Sequence, residues 1–273
     1  MVPSLLILTD FFQAANRALD YATNLAAPLG ARLVLLHVRR DSVLDPELFT
    51  GELSNLNQHA IELALNSIAT KLPVPVVAEV GHGRVAYAVA DAVSRHHPTL
   101  VVLGRPETEN TPDELVSTTA LDILRTAPYP MLVVPHSVHS TTPPRRVLLA
   151  VDGEDFSLGR HAGAMRHLLD ALHAELTVLH VTENTNADEN AAALELVQRT
   201  GLTADLAQPI RTLSIRATAP ADGILQAAQP ADFDLVVLIA RPRSFLGELF
   251  HHSVTAQVLL HSAVPVLVLP AAD

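Results

Sequence analysis

Two short apolar segments occur twice in this chain at one common spacing. LVVLG (100–104) returns as LVVLI (235–239), and PMLVVP (130–135) returns as PVLVLP (265–270), each 135 residues later. A shared offset means that the residues between the two segments align without a gap. Earlier in the chain LLILTD (5–10) returns as VLLAVD (147–152), and LVLLHV (33–38) as LTVLHV (176–181). A tandem duplication constrains the fold strongly, because both copies must build the same unit. A length of 273 residues suits two domains of about 130–140 residues each. We place them at 1–138 and 145–273. The stretch between them, SVHSTTPPRR (137–146), has the Ser, Thr and Pro of a short exposed linker.

Within each copy, short apolar runs alternate with helical patterns. In the first copy strands are predicted at 5–9, 33–38, 74–80, 100–103 and 131–134. Helices are predicted between them, the first with Ala15, Leu19, Ala22 and Ala26 at helix spacing and Gly30 as its C-cap. The others cover 46–72, 85–95 and 115–126. The second copy follows the same order, its first helix carrying Leu158, Ala162, Met165, Leu169 and Leu172 on one face. Strands that are continuously apolar and separated by helices build a parallel sheet covered on both sides. The fold class is therefore α/β, two tandem doubly wound, Rossmann-like domains, each with a five-stranded parallel sheet flanked by helices. Ligands of such sheets bind beyond the carboxyl ends of the strands, where the winding reverses. That puts Asp10, Val38 and the loop after Gly104 around one crevice, and Asp152, Val181 and the loop after Ile239 around the other.

Composition removes several function classes. Apolar residues make up 49% and aromatics 4%, with no Trp, so both cores are built from Leu, Val, Ile and Ala. The net charge of −11 repels polyanions, and no basic patch offsets it; nucleic acid is not an expected partner. There is no cysteine, hence no thiolate chemistry and no Cys-based zinc site. The start, MVPSLLILTD, has no basic segment and too short an apolar run for a signal peptide. No run reaches the roughly 20 apolar residues of a membrane span. The expectation is a cytoplasmic protein with no membrane partner.

The Asp ending strand one, the L-x-x-L-H-V second strand and the closing P-x-L-V-V strand, taken with the repeat, resemble the universal stress protein family in its tandem, two-domain form. The resemblance covers nearly the whole chain. In the ATP-binding branch of that family the loop after strand four reads G-x-x-G, nine residues, then G-S/T. Its glycines let backbone amides wrap a triphosphate, and the hydroxyl meets a phosphate oxygen. The first copy offers Gly104, Glu107, Ser117 and Thr118 at those positions, so one glycine and the hydroxyl are kept. The second offers Ile239, Pro242, His252 and Ser253, so only the hydroxyl is kept. A non-glycine residue forced to positive φ costs roughly 1–2 kcal/mol, and Pro242 has no N–H to donate. The first loop also carries Glu107, Glu109, Asp113 and Glu114 against Arg105. Each carboxylate about 7 Å from a phosphate charge costs on the order of 0.5–1 kcal/mol in a solvated loop. In the second copy Arg241 and Arg243 have the right charge on an unsuitable backbone.

The resemblance further implies that strands 131–134 and 266–269 pair across a pseudo-two-fold axis, making an intramolecular pseudo-dimer and removing two exposed edges. Association of whole chains into a homodimer stays open. The candidate ligand residues are Asp10, Val38, Gly104 and Thr118 in the first copy, and Asp152, Val181, Arg241, Arg243 and Ser253 in the second. Blander roles stand beside these: Asx turns for Asp10 and Asp152, helix N-caps for Thr118 and Ser253, packing for the repeated His37 and His180. His96–His97 and His251–His252 lack the i, i+4 spacing of helical zinc motifs, and Gly81–Arg84 reads as a tight turn. No catalytic set and no metal site emerges. The sequence-based reading is a non-enzymatic stress-response or ligand-sensing protein with degenerate ATP-binding motifs and no assured cofactor. The alternative is a genuine adenine-nucleotide-binding protein, for ATP or AMP, with weak ATPase activity. For that activity the acids of 107–114 would hold Mg²⁺.

Overall fold

The computed structural model describes residues 2–39, 51–106, 113–139, 142–182, 187–204, 206–241 and 253–272, with backbone alone at 51–57, 113–118 and 187–188. The first half runs β1 (Ser4–Leu8), α1 (Gln13–Leu29), β2 (Arg32–Arg39), α2 (Gly51–Ala69), β3 (Val76–His82), α3 (Val85–His96), β4 (Leu100–Arg105), α4 (Asp113–Thr126) and β5 (Met131–Pro135). The second runs β6 (Arg146–Val151), a 3₁₀ turn (Gly159–His161), α5 (Ala162–Ala171), β7 (Glu175–Thr182), α6 (Ala187–Arg199), β8 (Arg211–Arg216), α7 (Pro220–Ala227), β9 (Leu235–Ala240), α8 (Val254–His261) and β10 (Val266–Pro270).

All ten strands belong to one sheet, ordered β3-β2-β1-β4-β5-β10-β9-β6-β7-β8. Each half is a five-stranded parallel sheet with the doubly wound order 3-2-1-4-5. Its winding reverses between β1 and β4. The halves meet where β5 and β10 pair antiparallel, Val133 opposite Val266 and Met131 opposite Val268. This pairing is the intramolecular pseudo-dimer, and among the described residues it leaves β3 and β8 as the sheet edges.

The apolar strands are buried on both faces, and their alternation assigns side chains to two core layers. Leu5, Ile7, Leu132, Val134, Leu267 and Leu269 face the layer under α1, α2, α5 and α6. Leu6, Met131, Val133, Val266 and Val268 face the layer under α3, α4, α7 and α8. Each layer runs without a break through both halves, so the junction is core. Truncating a leucine there, such as Leu132, belongs to the class of changes that cost about 2–5 kcal/mol.

Helix α1 follows its predicted face, burying Ala15, Ala18, Leu19, Ala22, Leu25, Ala26 and Leu29. It ends where expected, at Gly30 in the left-handed conformation (φ 57°), whose N–H reaches the carbonyls of the last turn. Two expectations need correction. Leu158 is buried but precedes α5: the chain first runs through an isolated bridge, Ser157 with Ala272, and the 3₁₀ turn. The turn is entered through Gly159 at φ 49°. Thr118 is not at a helix start. Helix α4 begins at Asp113, directly after Pro112, and the acidic Asp113–Glu114 pair suits the positive end of a helix dipole. Of the predicted helix 46–72, residues 46–50 lie outside the described residues.

Candidate ligand crevices

Each β1-type strand ends in an aspartate, and both aspartates make the same local turn. Asp10 Oδ1 accepts from the Phe12 amide at 3.0 Å, and Asp152 Oδ1 from the Glu154 amide at 3.1 Å. An Asx turn of this kind redirects the chain from strand towards helix. The residue after the aspartate must enter the left-handed region: Gly153 does so at φ 81°, whereas the first half places Phe11 there at φ 66°. A side chain in that conformation costs about 1 kcal/mol. Phe11 is held by stacking on His37, ring centroids 4.9 Å apart. His37 is itself hydrogen-bonded through Nδ1 to the Thr9 carbonyl at 2.9 Å, and His180 makes the equivalent contact with the Val151 carbonyl at 3.3 Å. The repeated histidines tie β2 to the end of β1, and β7 to the end of β6.

In the first half the winding reversal opens a crevice of about 740 Å³. Asp10, Val38 and Gly104 all line it, as the sequence predicted. So do residues that the sequence did not single out: Phe12, 74% exposed at the rim, His136, and Leu259 and Leu260 from the other half. The floor is largely apolar, with Leu8, Leu36 and Leu103. Thr118 lies on the helix that flanks it, but its side chain is outside the described residues, as are Glu107 and Ser117.

Gly104 has a specific reason to be glycine. A Cβ there would sit 2.2 Å from the Ala14 carbonyl oxygen and 2.8 Å from the Ala15 amide nitrogen. Its φ is not positive, so what it needs is space: the end of β4 presses on the first turn of α1. Arg105, next in line, also borders the crevice, but its charged end is committed elsewhere. Its guanidinium donates to the carbonyls of Leu259 and Ser262, both at 2.6 Å, and so caps the C-terminus of α8 from the opposite half. Burial pushes its pKa down to about 10, which leaves it cationic at neutral pH. A cation at the negative end of a helix dipole is well placed.

The second half puts its own cation where the first has open space. Arg241 forks onto Asp152, Nε to Oδ2 at 2.9 Å and Nη2 to Oδ1 at 2.8 Å. It also donates to the Glu154 and Asp155 carbonyls at 2.8 and 2.9 Å. Only 14% of its side chain is exposed. Burial acts to raise the Asp152 carboxyl, but the Arg241 guanidinium and the Glu154 amide outweigh it and hold it below the usual carboxylate range. Val181 is pressed against α7, where a Cβ at Gly223 would come within 2.6 Å of it. Ser253 caps α8, its Oγ accepting from the Ala256 amide at 3.1 Å. Arg243, Pro242 and His252 lie outside the described residues. Of the second candidate set, the structure brings Asp152 and Arg241 together as partners of each other.

Other polar clusters are structural in geometry. Glu79 bridges Arg95 and His96, at 2.7 and 3.0 Å, and His97 is the left-handed C-cap of α3; His251 and His252 lie outside the described residues. Among the described residues no group of three or more His, Asp or Glu side chains could hold a metal ion, and no helix is long and apolar enough to cross a membrane.

A doubly wound domain repeated in tandem, with an open crevice at the first winding reversal and the halves joined through their last strands, defines the class: a two-domain α/β protein of nucleotide-fold type. A model of the universal stress protein family matches residues 1–135 and again 144–270. The chain belongs to that family, in its tandem form. Among solved structures, a universal stress protein from Archaeoglobus fulgidus superposes over 99% of both chains, with a TM-score of 0.75 at 15% identity. A protein of Pseudomonas aeruginosa described as functionally unknown matches over 99% of this chain and 93% of its own, with a TM-score of 0.62 at 20% identity. A universal stress protein in complex with cAMP aligns with 48% of this chain and 100% of its own, with a TM-score of 0.38 at 20% identity. No curated protein sequence matches the chain.

Proposed function

We propose that this chain is a non-enzymatic, ligand-sensing universal stress protein in which the first-half crevice is the working site and the second is sealed by its own side chains. The observation that carries this reading is Arg241 on Asp152: the strand-end carboxylate that would meet a ligand already has both oxygens taken by a partly buried guanidinium. The fork is charge-assisted, and on a half-exposed carboxylate it is worth about 1.5 kcal/mol in all; a ligand would have to displace it. In the first half, the charge nearest the end of β4 is Arg105, and it is committed to the α8 carbonyls. Gly104 serves the packing of β4 on α1. Neither crevice then keeps a polyphosphate grip among the described residues.

To test this, the full chain is purified, denatured, and its supernatant run over an ion-exchange column. The expected result is no stoichiometric ATP, and a turnover assay with and without magnesium gives no hydrolysis. Recovery of one ATP per chain overturns the degraded-site reading and leaves family membership standing.

A second reading has its own support. Asp10, Val38 and Gly104 border one crevice, and about 740 Å³ falls within the roughly 300–1,000 Å³ of small-molecule sites. On this reading the first half binds an adenine nucleoside by its base end alone. Calorimetry then gives adenosine, AMP and ATP the same affinity, because nothing rewards the phosphates. Heat from ATP alone removes it.

A further inference from the structure

On the outer side of α1, away from both crevices, lies a small pocket of about 320 Å³ between α1, the turn after α2 and the linker that leaves β5. Two of its lining residues, Arg17 and Tyr21, are one helical turn apart on α1 and so share a face. Both carry a buried donor with no hydrogen-bond partner among the described residues: Arg17 Nε and the Tyr21 hydroxyl. Tyr21 is 3% exposed. Burial, and then the charge of Asp234, push its pKa far up, so the phenol keeps its proton and remains a donor. Buried polar groups almost always find partners, and leaving one unmet costs about 1–3 kcal/mol. The nearest acid, Asp20, approaches Arg17 only to 3.9 Å and is itself 66% exposed. Acceptors such as Asp20 and Asn24 line the pocket, yet none of them meets these two donors.

The remaining walls define the rest of the occupant. Leu72, Pro73 and Val138 are apolar, so a wholly polar ion such as phosphate leaves them wet. Asp20 at the rim and the net charge of −11 disfavour a dianion. We propose that this pocket binds a small aliphatic monocarboxylate: one carboxylate oxygen accepts from Arg17 Nε and the Tyr21 hydroxyl, and the hydrocarbon end rests on Leu72, Pro73 and Val138. Such a site touches the inter-half linker at Val138 and His139, and its occupant orders that segment against α1.

The test uses the full chain with sodium butyrate as the probe and sodium chloride at equal ionic strength as control. Saturating butyrate raises the thermal midpoint of the wild type by roughly 2–4 °C. In titration calorimetry Arg17→Gln and Tyr21→Phe each weaken butyrate about tenfold or more. Tyr21→Phe also reports on the physical premise: because the hydroxyl it removes has no partner, its butyrate-free midpoint stays level or rises, whereas a merely structural hydroxyl would lower it. The inference is overturned if the wild type gives no saturable heat, which means that water satisfies the donors. It is overturned equally if both variants bind as the wild type does, or if inorganic phosphate binds more tightly than butyrate.

Discussion

In the first half Asp10 borders an open crevice of about 740 Å³, whereas in the second Asp152, at the same strand end and in the same Asx turn, is held by Arg241. The difference comes from small displacements along one aligned loop. The first half has Gly104, Arg105 and Pro106 where the second has Ile239, Ala240 and Arg241. Shifting the arginine by one position turns a cation that reaches across the junction to α8 into one that reaches back to its own strand end. Glycine in the first copy lets β4 lie against α1. In the second, the α1 counterpart starts only at Ala162, after an isolated bridge and a 3₁₀ turn, so that close approach is not needed. One scaffold thus yields one crevice roofed by its partner half and one filled from within.

The comparison can be broken most forcefully at Gly104. Gly104→Ile, which copies the second half, drives a Cβ into the Ala14 carbonyl. It should cost about 3 kcal/mol, the upper part of the overpacking range, read as a lower denaturant midpoint. A cost below 1 kcal/mol would mean that β4 and α1 separate easily. Next comes Arg105→Ala. It strips two bonds from carbonyls at the end of α8, one of them on fully buried Ser262, and an expected loss of about 2 kcal/mol follows. Hydrogen exchange in the last turn of α8 should rise with it, while Arg105→Lys recovers part of the protection.

Arg241→Ala should cost somewhat less, about 1.5 kcal/mol, because Asp152 is half exposed and water can take over. Its pH dependence sharpens the point. Asp152 has a lowered carboxyl in the folded state, so it contributes stability above its unfolded pKa of about 4 and loses it as the pH falls through the lower folded value. The gap between wild type and Arg241→Ala should therefore narrow below about pH 4. A gap that is flat there would mean that the fork contributes little. The smallest effect is expected from Phe11→Gly. Relief of about 1 kcal/mol of backbone strain offsets the lost stacking on His37, so the net change should stay within about 1 kcal/mol by the same denaturant measurement.

Much of the fold was legible because its signals are local and repeated. Five apolar runs per copy, separated by helical patterns, leave a parallel sheet as the way to bury them, and the offset of 135 residues aligned β4 with β9 and β5 with β10. The strand-end aspartates, the Gly30 cap and the Ser253 cap were readable for the same reason: each rests on contacts within a few residues. The Thr118 hydroxyl resembles an N-cap signal, but the helix start is set by the Pro112–Asp113–Glu114 sequence just upstream, and α4 begins at Asp113. Arg105 and Arg241 could be counted as charges but not given partners. Gly104 could be taken for a phosphate-binding glycine, since its collision partner, Ala14, lies far away in sequence.

The chain alone determined that there are two copies of one doubly wound unit, that polyanions and thiol chemistry are disfavoured, and which strand ends border the first crevice. Those conclusions follow from periodicity, composition and spacing, which act over short distances or over the whole chain. Only the tertiary structure decided which cation meets which acceptor. Arg105 finds Leu259 across 154 residues and Arg241 finds Asp152 across 89. The physical reason is geometric: a guanidinium commits to the carbonyl or carboxylate that lies about 2.6–2.9 Å away, and packing sets that distance.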